Sequence, residues 1–200
     1  MQRYNHNMPR IDPSKMKIGY VVLVAGRNPA IEGVQRKAGY KDSASWTHVA
    51  GSLGGLTLIE ACVPRTILSD IQTKYADKGI VIKVLKRRGQ DAHKRYKVAL
   101  WWATMNNLPY DALQFFWFPL SVVCGRIGVA LHAFFSSSKR FLCSELIVTG
   151  FYKEGDCLFA KPAENVMPAD FDDPELFEEV KEIWQNGTEG QTFKTRGVFK

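Results

Sequence analysis

An α+β fold is what the sequence predicts, because strand-like runs fill its first half and helix-like stretches its second. Apolar, β-rich runs lie at about 17–26, 45–53, 56–61 and 79–87. Helix-favouring composition follows at 90–107 and again at 136–155. Two hundred residues at 46% hydrophobic content suit one domain with a sizeable core.

In chain order, residues 1–16 read as an N-terminal extension, 17–184 as the domain and 185–200 as a mobile tail. "KIGYVVLVAG" (17–26) is a short strand ended by glycine, and "RNPAIEGVQRKAGYKDSA" a loop or short helix. Two strands then flank Gly54 and Gly55, and "GIVIKVLKR" (79–87) alternates in exposure. "QDAHKRYKVALWWATMNN" (90–107) offers Ala99, Leu100, Trp102 and Ala103 to a buried face. "SSSKRFLCSELIVTGFYKEG" (136–155) is a serine-rich loop running into a helix that stops near Gly155. "MPADFDDPELFEEVKEIW" (167–184) reads as a proline-punctuated loop before a short acidic helix.

The charge of +7 and the pI of 9.2 favour anionic surroundings without specifying a fold. Cys62, Cys124, Cys143 and Cys157 lack CxxC spacing and read as reduced thiols. The opening "MQRYNHNMPRIDPSK" has no signal-peptide core, so a cytoplasmic location is expected. The most apolar stretch, 112–135, is long enough to cross a bilayer but is interrupted by Pro119, Arg126 and His132. An arginine near the centre costs about 2.5–3.5 kcal/mol on insertion scales. The stretch therefore reads as two buried or interfacial segments, with Phe115, Phe116, Trp117 and Phe118 shielded and weak membrane-surface contact as the alternative.

Within "SWTHVAGSLGGLTLIEACVP" (45–64), His48 and Glu60 are ionisable groups in otherwise core-like strands. An odd-length loop centred on Gly54 would pair residues whose numbers sum to 108, setting His48 directly opposite Glu60. A two-residue loop at Gly54–Gly55 would put them on opposite faces. Paired, the carboxylate orients the imidazole, as in nucleophile–base–orienter constellations. Cys143 is the matching nucleophile candidate: with Leu146, Ile147, Gly150 and Phe151 it forms an apolar helical face, and it stands near the helix start. There the helix end lowers a thiol pKa, and N–H groups can hold an oxyanion. Read by itself, the segment favours a small core residue over a nucleophile.

The motifs in order resemble the circularly permuted NlpC/P60 cysteine hydrolases of the YiiX/YebB type. "GYVVLVAG" is similar to their opening "GDIILV" strand, "THVAGSL" to the histidine strand and "LIEACVP" to the glutamate strand. A "PYD" segment at 109–111, "FLCSELIVTGFY" and "MPADFDDPELF" complete the match over about residues 17–178. The aspartate of the family's "GD" is Tyr20 here. The resemblance implies a papain-like α+β fold, a small, mostly antiparallel sheet packed on helices. It implies catalysis by Cys143, His48 and Glu60 through a thioester, with no cofactor or metal, on a peptide or amide substrate such as a peptidoglycan-type peptide. Trp46, Tyr110 and Ser144 are the candidate substrate-binding residues. Related permuted acyltransferases act on lipids with a His–His–Cys pattern; Glu60 in place of the second histidine favours the YiiX/YebB side.

Other classes are weaker. His48, Glu60, Cys62 and Cys143 include zinc-ligating types but lack short paired spacing. The basic run "KVLKRRGQDAHKRYK" (83–97) lacks any recognised nucleic-acid motif, so a solvated face is expected rather than specific nucleic-acid binding. A catalytically inactive interaction domain is the third alternative. Nothing in the sequence specifies an oligomeric state.

Overall fold

The computed structural model describes residues 9–26, 28–110 and 142–185. Its strands are β1 (Val21–Val24), β2 (His48–Gly54), β3 (Thr57–Ala61), β4 (Thr66–Asp70), β5 (Ile82–Arg87) and β6 (Phe177–Glu179). They form one antiparallel sheet in the order β4-β3-β2-β1-β5-β6. The helices are α1 (Pro29–Lys37), α2 (Ile71–Lys74), α3 (Ala92–Thr104) and α4 (Cys143–Lys153). The chain is thus α+β.

Local chemistry explains the helix starts. Asn28 accepts the Ile31 N–H and Pro29 opens α1, its missing donor costing nothing at that position. Asp70 and Asp91 cap α2 and α3 through the N–H groups of Thr73 and Lys94. The "VVLV" of β1 is buried on both faces, as a central strand covered on two sides must be.

The sheet separates two cores. Val21, Leu23, Val49, Ile59 and Ala61 point to the face covered by α3 and α4, where Trp102, Leu146, Ile147 and Phe151 meet them. Val22, Val24, Ala50 and Leu58 point to the other face, against Ile71 and Tyr75. Trp102 anchors α4 to the sheet. A Cβ on Gly51 would come within 2.5 Å of its ring, and one on Gly150 closer still, so glycine on both β2 and α4 lets the indole lie between them. Its Nε1–H donates to the Ile147 carbonyl at 3.2 Å. That packing aims the start of α4 at the start of β2.

Four expectations change. The acidic helix within 167–184 is instead a short turn of 3-10 helix (Pro168–Phe171), then β6. The outer edge of β5 takes this segment as a strand, with Lys86 opposite Glu178 and Phe177 turned into the core. Residues 9–16 pack onto the domain, with Ile11 and Met16 buried and Ile11 bridged to Trp184. The strand β4 and the short α2 were not anticipated at all. The fourth change is the hairpin register described below. Among the described residues no helix is long and apolar enough to cross a membrane. The 112–135 stretch and the 186–200 part of the tail lie outside the described residues.

Candidate functional site

His48 is the first residue of β2, and its Nε2 lies 2.8 Å from Glu60 Oε2. They are not directly opposite each other. The turn residues are Gly55 and Leu56, with Gly54 paired to Thr57, and a bulge at Leu53 then shifts the ladder to Ser52–Leu58 and Gly51–Ile59. Pair numbers thus sum to 110 rather than 108. The displacement is by two residues, so both side chains keep one face and meet diagonally. Without the bulge, the same two-residue turn would carry His48 to the face opposite Glu60.

Glu60 has no exposed surface, and several donors converge on its carboxylate. Ser69 Oγ–H and Lys74 Nζ, the latter at 2.9 Å, donate to Oε1. His48 and the Tyr75 hydroxyl engage Oε2. Ser69 comes from β4, Lys74 from the end of α2 and Tyr75 from the residue after it. Burial alone would raise the Glu60 pKa. The hydrogen bond and charge of His48, then Lys74 and Ser69, outweigh it and hold the carboxyl well below the usual carboxylate range. The Tyr75 hydroxyl is pushed far above its ordinary value by burial and by the Glu60 charge, so it stays a donor.

Cys143 is the first residue of α4, with Leu142 as the cap position and the Leu142 N–H donating to Glu145 at 3.2 Å. The helix lies on the sheet face opposite the Glu60 cage, so meeting His48 requires an opening. The strand ladders supply it. The β2–β3 ladder stops at Gly51–Ile59, while β2 stays paired with β1 to His48 and β3 stays paired with β4 to Ala61. The Ser52 N–H faces β1, so by alternation the Val49 N–H faces the gap that β3 has left. The His48 ring and the Val49 and Ser144 N–H groups lie close enough to the Cys143 sulfur to stabilise its thiolate. With Nε2 held by Glu60, the ring nitrogen left for the thiol is Nδ1.

The electrostatics follow from that placement. Burial pushes the Cys143 thiol up, but hydrogen bonding and charge attraction from His48, then the two N–H groups, bring it below its ordinary value. Burial pushes His48 down, and its interactions with Cys143, Cys62 and Glu60 raise it well above 6.5. Both directions favour a thiolate–imidazolium pair.

Cys143 also forms part of the wall of an open cleft of about 560 Å³, solvent at its mouth included. One side is α1 and the other is the 164–168 loop. The buried Gln35 side chain fixes this frame, donating to the Ala44 and Trp46 carbonyls and accepting the Ala169 N–H. Tyr110 lines the cleft, held there by its N–H to the Pro64 carbonyl and by the bonds that join Thr66 to the end of α3. Ser144 lines it too, but its hydroxyl is committed to the Val166 carbonyl. Trp46 is not part of the described lining; its indole N–H donates to Asp172 at 2.9 Å, which ties the loop before β2 to the turn after Phe171.

The sequence reading missed Ser69, Lys74, Tyr75 and the Val49 N–H. Asp70 as a helix cap is the one local signal near the first three. The ligating atoms of His48, Glu60 and Cys62 lie within 4.8 Å of one another. The Lys74 ammonium stands 2.9 Å from Glu60 and 3.6 Å from Cys62 Sγ, in the place a dication bridging them would need. The donor set therefore suits an internal ion pair better than zinc. No family model matches the chain, and no curated protein matches it.

Proposed function

We propose that the chain is a cysteine hydrolase of the circularly permuted NlpC/P60 type, cleaving an amide or ester through a thioester. The observation that carries this reading is a thiol at a helix start sharing one imidazole with a fully buried carboxylate. The chain order supports the permuted version of the papain-like fold, since the histidine and glutamate strands precede the cysteine helix.

In the proposed reaction the Cys143 proton resides on His48, and the thiolate attacks the substrate carbonyl carbon. N–H groups at the start of α4 hold the oxyanion. The S–C bond forms, the C–N or C–O bond breaks, and the imidazolium gives its proton to the departing amine or alkoxide. His48 then takes a proton from water, which attacks the thioester and frees the acid and the thiol. Glu60 keeps the ring in place and stabilises its cation throughout.

The test is alkylation by iodoacetamide at pH 7 with mapping of the modified residues. Cys143 labels faster than Cys62, Cys124 and Cys157, and His48→Ala slows Cys143 by roughly tenfold, the effect of one pKa unit on thiolate content. Equal rates at all four cysteines, or fastest labelling at Cys62, overturn the assignment.

A further inference from the structure

We infer that Cys62 and Lys74 form an oxidation site, at which a peroxide joins the two side chains through a sulfur–nitrogen bond and takes a cation away from Glu60. Cys62 has no part in the chemistry proposed for Cys143, yet it stands at the same carboxylate. It follows the last residue of β3, two positions beyond Glu60, and alternation turns its side chain to the Glu60 face. Its thiol reaches Glu60 Oε2 at 3.9 Å, while the Lys74 ammonium holds Oε1 at 2.9 Å. One carboxylate thus sets the sulfur and the nitrogen side by side, 3.6 Å apart. Both side chains are partly exposed, so a small oxidant in solvent reaches them. An accessible thiol beside a cation is the kind that oxidises site-selectively.

The oxidant is hydrogen peroxide. The Cys62 sulfur attacks one peroxide oxygen: the S–O bond forms, the O–O bond breaks, and the products are the sulfenic acid and water. The sulfur is oxidised by two electrons and the peroxide is reduced by two. Lys74 then gives one proton to solvent, and its amine nitrogen attacks the same sulfur. The S–N bond forms, the S–O bond breaks, and the hydroxyl leaves with a second proton from the nitrogen as water. Rotations of the flexible lysine stem close the 3.6 Å gap. The nitrogen of the resulting sulfenamide is no longer an ammonium, so Glu60 keeps His48 as a partner and loses the charge of Lys74. None of these steps needs Cys143 to be a nucleophile.

The experiment treats the full chain with hydrogen peroxide at pH 7, digests it without reductant and maps the peptides by mass spectrometry. The peptides carrying Cys62 and Lys74 emerge joined, lighter by two hydrogens than their sum, and dithiothreitol separates them. Cys143→Ala gives the same linked pair. In Lys74→Arg, which keeps the charge beside Glu60, the link is lost and dimedone captures Cys62 as the sulfenic acid instead. Cys62 left as a thiol while Cys157 is oxidised, a disulfide joining Cys62 to Cys143, or equal dimedone capture with and without Lys74 each overturns the oxidation site. Slow iodoacetamide labelling of Cys143 in the untreated chain overturns the hydrolase reading and leaves the linked pair standing.

Discussion

Toward β3 and α2, His48 and Cys143 are backed by a carboxylate without exposed surface and with donors on both oxygens. Toward α1, the same sulfur faces a cleft walled by aliphatic side chains and open to solvent. The first region is a polar network in which each donor depends on one acceptor; the second is a set of small apolar contacts, each replaceable. In the low-dielectric interior the network is strong only when complete, and removing its centre leaves several buried donors unmatched. The cleft loses little when one methyl group changes. The network is therefore the part that tolerates little change, and the cleft the part that tolerates more.

Breaking the network at its centre has the largest expected effect. Glu60→Ala strands His48, Ser69, Lys74 and Tyr75, and the loss of stability is about 3–5 kcal/mol, read from urea unfolding. Rapid alkylation of Cys143 disappears with it. A loss below 1 kcal/mol would show that the donors find other partners, and that the two regions are equally tolerant.

The pH dependence of stability sharpens the same contrast. The Glu60 carboxyl is depressed in the folded protein, so its contribution is present above the unfolded carboxylate value and disappears as pH falls through the folded one. His48 is raised, so its contribution is complete below pH 6.5 and is lost as pH rises through its folded value. Urea midpoints measured from pH 3 to 9 fall on both sides. Glu60→Gln flattens the acid limb and His48→Ala the alkaline limb, whereas substitutions in the cleft leave both slopes intact.

Lys74→Met is intermediate. The lysine side chain is partly exposed, so water screens the ion pair and the cost is about 1–2 kcal/mol. Loss of one of the two cations beside Glu60 leaves His48 as its principal partner, which raises the imidazole pKa further. The alkaline limb of the Cys143 alkylation profile then moves upward. A limb that stays in place shows that Lys74 only fills space. The smallest effect belongs to Trp46→Phe, which removes the N–H to Asp172 and costs about 1 kcal/mol in urea unfolding. Cys143 alkylation is unchanged, because Trp46 lies outside the described cleft lining.

Much of the fold is legible in local pattern. The "VVLV" run, the Gly54–Gly55 turn region and the capped α3 each carry their signal within a few residues. The acidic 175–184 segment misled because its composition suits a helix, while the free edge of β5 draws it into a strand. Ser69, Lys74 and Tyr75 were not legible as site residues. Nothing local marks a lysine or tyrosine as the partner of a glutamate fourteen or fifteen positions earlier.

The sequence by itself determined which residue types were available: one histidine and one glutamate on neighbouring strands of a glycine turn, and one cysteine opening an apolar helix. These follow from periodicity, turn chemistry and capping, all short-range. Tertiary structure decided whether they meet. The bulge at Leu53 put His48 and Glu60 on one face. The early end of the β2–β3 ladder opened the gap at Val49, and Trp102 between two glycines carried Cys143 into it. Each of these depends on how strands pair and where a helix packs. Those are choices made by burial across the whole chain, and no window of a few residues contains them.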